Sequence, residues 1–216
     1  ITQGGNLEAD LAKQGKVDEE IVDNTAVFID NMATKMESRG EPTGLAFPTN
    51  DEGDDHSFDI GYGHKITAAE ASSGTIHGIK YKNDDGTDRK LTLAEMKTIA
   101  SKDYEHHVNL ARKVGWDSKL KAIGTSWDAL DEQYKMALGS LAYNVGGAKA
   151  GEDWTAVLKA AKNKNLASFA KELRRQDAGK YSKGMDNRVA KELYYAGLIT
   201  SLDDVATQLP LATELK

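Results

Sequence analysis

The sequence predicts an α+β fold, a small antiparallel β element followed by a helical bundle, and three observations carry that prediction. Residues 57–64 (SFDIGYGH) alternate with period two, the mark of a strand. Apolar residues recur at helical spacing from Ile21 to Met36, and again through much of 92–197. Between these regions Gly, Pro, Asn and Asp crowd residues 41–56, and two of the three prolines of the chain, Pro42 and Pro48, fall there.

Residues 1–16 lack an apolar period and read as a loose arm. Asp18 is placed to cap a helix, Glu19 and Glu20 suit its positive end, and Ile21, Phe28, Met32 and Met36 share a face. Gly40 and Pro42 should stop it, which puts Glu37 in the last turn. The segment around GLAFPTNDEGDDH then reads as a hairpin with a polar turn. In the strand after it, Phe58, Ile60 and Tyr62 are expected on one face, with Ser57, Asp59 and Gly61 on the other. Thr92 and Glu95 spell a capping box before a stripe of Met96, Ile99, Ala100, Tyr104 and Ala111. Asp131 is placed to cap a helix with Tyr134, Ala137, Leu138, Leu141 and Val145 on one face, stopped by Gly146-Gly147. WTAVLKAA, LASFAKELRR and NRVAKELYYAG supply three more amphipathic segments.

Composition narrows the function. The 216 residues carry a net charge of −6 with no basic block, so electrostatic binding of nucleic acid is not expected. No apolar run approaches the ~18 residues of a membrane span. The absence of cysteine excludes disulfides, thiolate zinc sites and a cysteine nucleophile. A chain starting at Ile1 is expected to have been trimmed, processed or cut from something longer.

Carboxylates are the most suggestive chemistry. After Glu37 come Asp51, Glu52, Asp54, Asp55 and Asp59, all within 22 residues. Glycoside hydrolysis needs two carboxyl groups across one bond, one protonated as acid and one ionised as base or nucleophile. Met32 and Met36 near Glu37 would favour its protonated form by desolvation. With 34 acidic residues in the chain, most are surface charge, and composition alone does not select a pair. DEGDD and NDDG fail the calcium-loop spacing, because Pro48 and Tyr81 stand where a ligand is required. His106 and His107 are adjacent, not one turn apart, so no metal site and no cofactor are expected. Asp103 shares the stripe of Met96, Ala100 and His107. There it needs either a cationic partner or a face turned to solvent.

Taken in order, Glu37-Ser-Arg-Gly, the hairpin, DIGYGHKIT, LAYNVGG and DNRVAKELYYAG resemble the phage-type lysozymes, glycoside hydrolase family 24, over residues 26–197. Residues 1–25 and 198–216 are then an N-terminal arm and a C-terminal tail. The resemblance implies a lysozyme-like fold, with a small sheet lobe, a larger helical lobe and a cleft between them. It implies a peptidoglycan muramidase with Glu37 as general acid. Asp51 matches the Asp of the hairpin turn, although the longer loop leaves Glu52, Asp54 and Asp55 as alternatives. A Thr of the family is replaced by Asp59, which would act as base, as nucleophile or as a hydrogen-bonding spacer. His64 is expected to pair with Asp103, and Arg188 with Glu37. Asn144 would contact sugar, and Tyr62 stands with it as a substrate contact. Each has a plainer reading: Arg188 as surface charge, Asn144 as a helix C-cap, His64 as scaffold. The resemblance implies peptidoglycan as partner and either a cytosolic endolysin or a lysis domain of a virion protein. A lytic transglycosylase, a chitosanase and a non-catalytic wall-binding virion module are the alternatives.

Overall fold

A computed structural model of the protein describes residues 25–36, 45–50, 58–174 and 183–202. These residues are mostly helical, with small antiparallel sheets. Helix α1 (residues 25–31) continues into a π-helical turn over Met32–Met36. Phe28 and Met32 are buried, as their spacing predicts. The arm, the Asp18 cap, Ile21 and the helix stop at Gly40 lie outside the described residues.

Strands β1 (Leu45–Asn50), β2 (Phe58–Gly61) and β3 (His64–Lys65) form an antiparallel sheet in that order. Thr49 is opposite Asp59 and Asn50 opposite Phe58, while the register shifts between Leu45 and Thr49, a stretch containing Pro48. A proline cannot donate to the ladder and is tolerated at such irregularities.

The expected alternation in β2 fails. Phe58 is 46% exposed, whereas Asp59, Ile60, Gly61 and Tyr62 are all buried. Alternation sorts a strand with one wet face. A run of consecutive buried residues belongs to a strand covered on both sides. Tyr62 lies past the strand, in the turn to β3.

Helix α2 (Ala68–Ser73) starts with a capping box, Thr67 with Glu70. Strands β4 (Thr75–Ile76) and β5 (Ile79–Lys80) follow as a hairpin. Its two turn residues, His77 and Gly78, have φ of 50° and 82°. Positive φ at both positions is the type I′ turn, whose twist suits a two-residue hairpin.

Helix α3 (Leu93–Ala111) begins with the expected Thr92–Glu95 capping box and buries the whole expected stripe. A π-helical turn, Arg112–Trp116, leads into α4 (Asp117–Ala122). Helix α5 (Glu132–Val145) has Asp131 at its N-cap position, but the side chain makes no cap bond. Its carboxylate instead meets Lys164 Nζ at 2.8 Å.

Gly146 ends α5 with φ of 86°, yet Gly147 does not belong to the stop: it begins α6 (Gly147–Asp153). A Cβ at Gly147 would strike the His107 carbonyl, and one at Gly151 would strike that of Ala111. The two glycines, one turn apart, let α6 lie backbone to backbone on α3 and its π-helical extension. Helices α7 (Thr155–Lys162), α8 (Leu166–Leu173) and α9 (Lys183–Tyr195) complete the described chain.

Two apolar clusters result. One joins the sheets to the first half of α3 through Ile60, Tyr62, Ile76, Tyr81, Met96 and Ile99. The other packs α1 and α5–α9 around the second half of α3. Ile199, past the 197 boundary, is still buried in the helical cluster.

Candidate functional site

Helix α3 places Asp103 where its two clusters meet, and four side chains converge there. His64, on β3, points its Nδ1 at both carboxylate oxygens of Asp103, at 3.0 and 2.9 Å. On the other side of the ring, Nε2 lies 3.1 Å from Glu70 Oε2. His77, from the β4–β5 turn, places Nε2 2.7 Å from Asp103 Oδ1. Glu70 is fixed in turn, since its Oε2 accepts from both the backbone N–H and the hydroxyl of Thr67.

The electrostatics follow from this arrangement. Burial opposes a charge on His64, but the carboxylates of Asp103 and Glu70 outweigh it and raise the imidazole pKa. Burial likewise opposes ionisation of Asp103, and the two histidines overcome it and lower its pKa. For Glu70, burial is outweighed by the Thr67 hydrogen bonds and then by His64, and its pKa falls. His107 behaves oppositely. Burial lowers its pKa, with the neighbouring His106 and His64 adding to the effect against Asp103. Its Nδ1 accepts the Gly147 N–H at 3.1 Å, so this ring is an acceptor that ties α3 to α6.

A second polar group lies in the helical cluster. Glu192 of α9 is 0% exposed. Its Oε1 accepts from Ser140 Oγ at 2.9 Å and from Arg188 Nε at 3.2 Å. Helix α9 also packs against the Met32–Met36 turn. Arg188 therefore sits on a helix that touches the segment immediately preceding Glu37.

The expected residues fare unequally. Glu37 and Asp51 lie outside the described residues, as do Glu52, Asp54 and Asp55. Asp59 is described and is only 4% exposed, across from Thr49 on one side and Lys65 on the other. His64 and Asp103 are brought together. Asn144 is exposed in the last turn of α5 and is not its cap, because Gly146 fills that position. Tyr62 is 1% exposed and packed among the sheet-side apolar residues, so it presents no face to a ligand. Burial raises its phenol pKa, Lys97 opposing and Asp30 adding to that shift. The Tyr62 carbonyl accepts a 2.9 Å hydrogen bond from Tyr143 Oη, which links α5 to the β2–β3 turn.

Sequence reasoning missed His77, Glu70, Tyr143 and Glu192. Glu70 was findable, since Thr67-Ala-Ala-Glu70 is itself a capping-box spelling. His77 was not, because two-residue strands show no alternation.

With both ring nitrogens engaged, His64 is occupied as a link among β3, α2 and α3 and is not free to take a proton from a substrate. Comparison of the chain with protein-family models, curated proteins and solved structures returned no match.

Proposed function

We propose that the protein is a peptidoglycan muramidase of the phage-lysozyme type, built as a sheet lobe and a helical lobe across a cleft. It would cleave the β-1,4 bond between N-acetylmuramic acid and N-acetylglucosamine. The observation that carries this reading is the His64–Asp103 contact. The resemblance calls for that pair, and its partners are 39 residues apart, with Nδ1 2.9 Å from the carboxylate. The packing of α9 on the turn before Glu37 supports the expected approach of Arg188 to that residue.

In this reading Glu37 protonates the leaving glycosidic oxygen, and an ionised carboxylate activates water on the opposite face of the sugar. Asp51 and Asp59 are the candidates for that carboxylate. The burial of Asp59 leaves little room for a water at its oxygens, which puts Asp51 first. A water-mediated attack inverts the anomeric centre, with the two carboxyls ~6.5–9.5 Å apart. The enzyme would be an endolysin made in the host cytoplasm or a virion-associated lysozyme, in either case acting on the bacterial envelope.

Digestion of purified sacculi, followed by turbidity and by mass analysis of the fragments, tests the proposal. Disaccharide-peptide fragments with a reducing N-acetylmuramic acid end are expected. Fragments lighter by one water, from intramolecular closure, would make the protein a transglycosylase. Intact sacculi alongside cleaved chitosan would make it a chitosanase, and intact material throughout would leave a binding module.

A further inference from the structure

We propose that His64, His77 and Asp103 form a binding site for a divalent transition-metal ion of the zinc class, with Glu70 orienting His64 from behind. The three ligand-type atoms, His64 Nδ1, His77 Nε2 and an Asp103 oxygen, all lie within 4.8 Å of one another. They come from a strand, a hairpin turn and a helix, so an ion there would clamp three elements. Two imidazoles and one carboxylate are a borderline donor set that suits zinc and leaves one position for water.

Donor bookkeeping favours an ion over hydrogen bonds alone. Without a metal, His64 satisfies Asp103 through Nδ1–H and Glu70 through Nε2–H only as an imidazolium. With a metal on the Nδ1 lone pair, a neutral imidazole keeps its Nε2–H on Glu70, and every contact is met. The carboxylate behind a ligating histidine is the usual outer-shell arrangement. Glu70 is held for that role by Thr67. Charge points the same way: Asp103 and Glu70 are two carboxylates against two imidazoles, and among the described residues no Lys or Arg bonds to either carboxylate.

His77 is the telling residue. It occupies the first central position of a type I′ turn, with φ of 50°, where Asn, Asp or Gly is the ordinary choice. Its side chain reaches 26 residues along the chain to Asp103. Ligands of a tetrahedral zinc stand about 3.3 Å apart, given zinc–nitrogen bonds of about 2.0–2.1 Å. The imidazole–carboxylate separations of 2.7–3.0 Å must open by a few tenths of an ångström, and His77, at a hairpin tip, can supply that movement.

This inference does not depend on the muramidase reading. The full chain, stripped with EDTA and dialysed, is titrated with Zn²⁺ by calorimetry and with Co²⁺ by visible absorption. One saturable site is expected, with the ligand-field bands of imidazole-bound cobalt. His77→Asn keeps the turn but removes a ligand, and should weaken Zn²⁺ binding by at least about tenfold. Glu70→Gln keeps the capping box and should weaken it by about 10-fold or more through the outer shell. Absence of a saturable site in the parent overturns the assignment, as do visible cobalt bands that persist in His77→Asn. If His77→Asn does not fold, Glu70→Gln decides: Zn²⁺ affinity equal to the parent's overturns the site as drawn.

Discussion

The two apolar clusters hold their buried polar groups by different means. On the sheet side, His64, Glu70 and His77 come from short elements and meet Asp103 on the long helix α3. His64, Glu70 and His77 are only partly withdrawn from water, Asp103 is buried, and two of the four are imidazoles. On the helical side, Glu192 is wholly buried and is met by Ser140 and Arg188 from long helices. A group that titrates near neutrality makes its contribution depend on pH. A fully buried carboxylate beside a guanidinium makes its contribution depend on the partners staying in place. The first arrangement can respond to conditions, and the second can only be kept or broken.

Substitutions sharpen that contrast. The largest effect is expected on the helical side. Glu192→Ala removes the acceptor of Ser140 and Arg188, and taking one partner from a buried ion pair costs about 3–5 kcal/mol. Chemical denaturation measures it, and a loss under 1 kcal/mol would place Glu192 among surface charges, against its burial.

A smaller, pH-dependent effect is expected for Asp103→Asn, measured in chelator so that no metal contributes. Hydrogen bonds to charged groups are worth about 2 kcal/mol. The folded pKa of His64 is raised, so its contribution is complete below its unfolded pKa of about 6.5 and fades as pH rises through the folded value. The folded pKa of Asp103 is lowered, so its contribution is present above about pH 3.9 and fades as pH falls through the folded value. The stability deficit should therefore peak between about pH 4.5 and 6.5. A deficit that does not vary with pH would erase the distinction between the two regions.

The smallest effect belongs to Thr67→Ala. Losing a helix cap costs about 1 kcal/mol, and the Glu70 carboxylate keeps the Thr67 N–H but loses the hydroxyl donor. Thermal melting should show this loss, and less of it in an Asp103→Asn background if Thr67 and the cluster act together.

The same contrast explains what was legible in the sequence. The stripe of α3 and its capping box were readable because 19 residues give several helical turns in which apolar spacing repeats. The stripe left Asp103 a choice between a cation and solvent, and it was the family resemblance that named His64 as its partner. The sheet side was less legible. Strands of two residues leave no period to detect, so β4, β5 and the inward reach of His77 were missed. The exposure of Phe58 and the burial of Asp59 were missed because alternation presumes one wet face. Gly147 read as a stop because a glycine that permits close helix packing looks the same in sequence as one that ends a helix.

The account turns on Glu37, whose role follows from the proposed family likeness. The most direct measurement is the rate of sacculus solubilisation by Glu37→Gln against the parent, at matched folded concentration judged by circular dichroism. Gln keeps the shape and removes the titratable proton, and general acid catalysis is worth ~10²–10⁴-fold. A loss in that range with unchanged melting is the predicted result. Activity within a few-fold of the parent would contradict the account, since the bond would then be broken without Glu37.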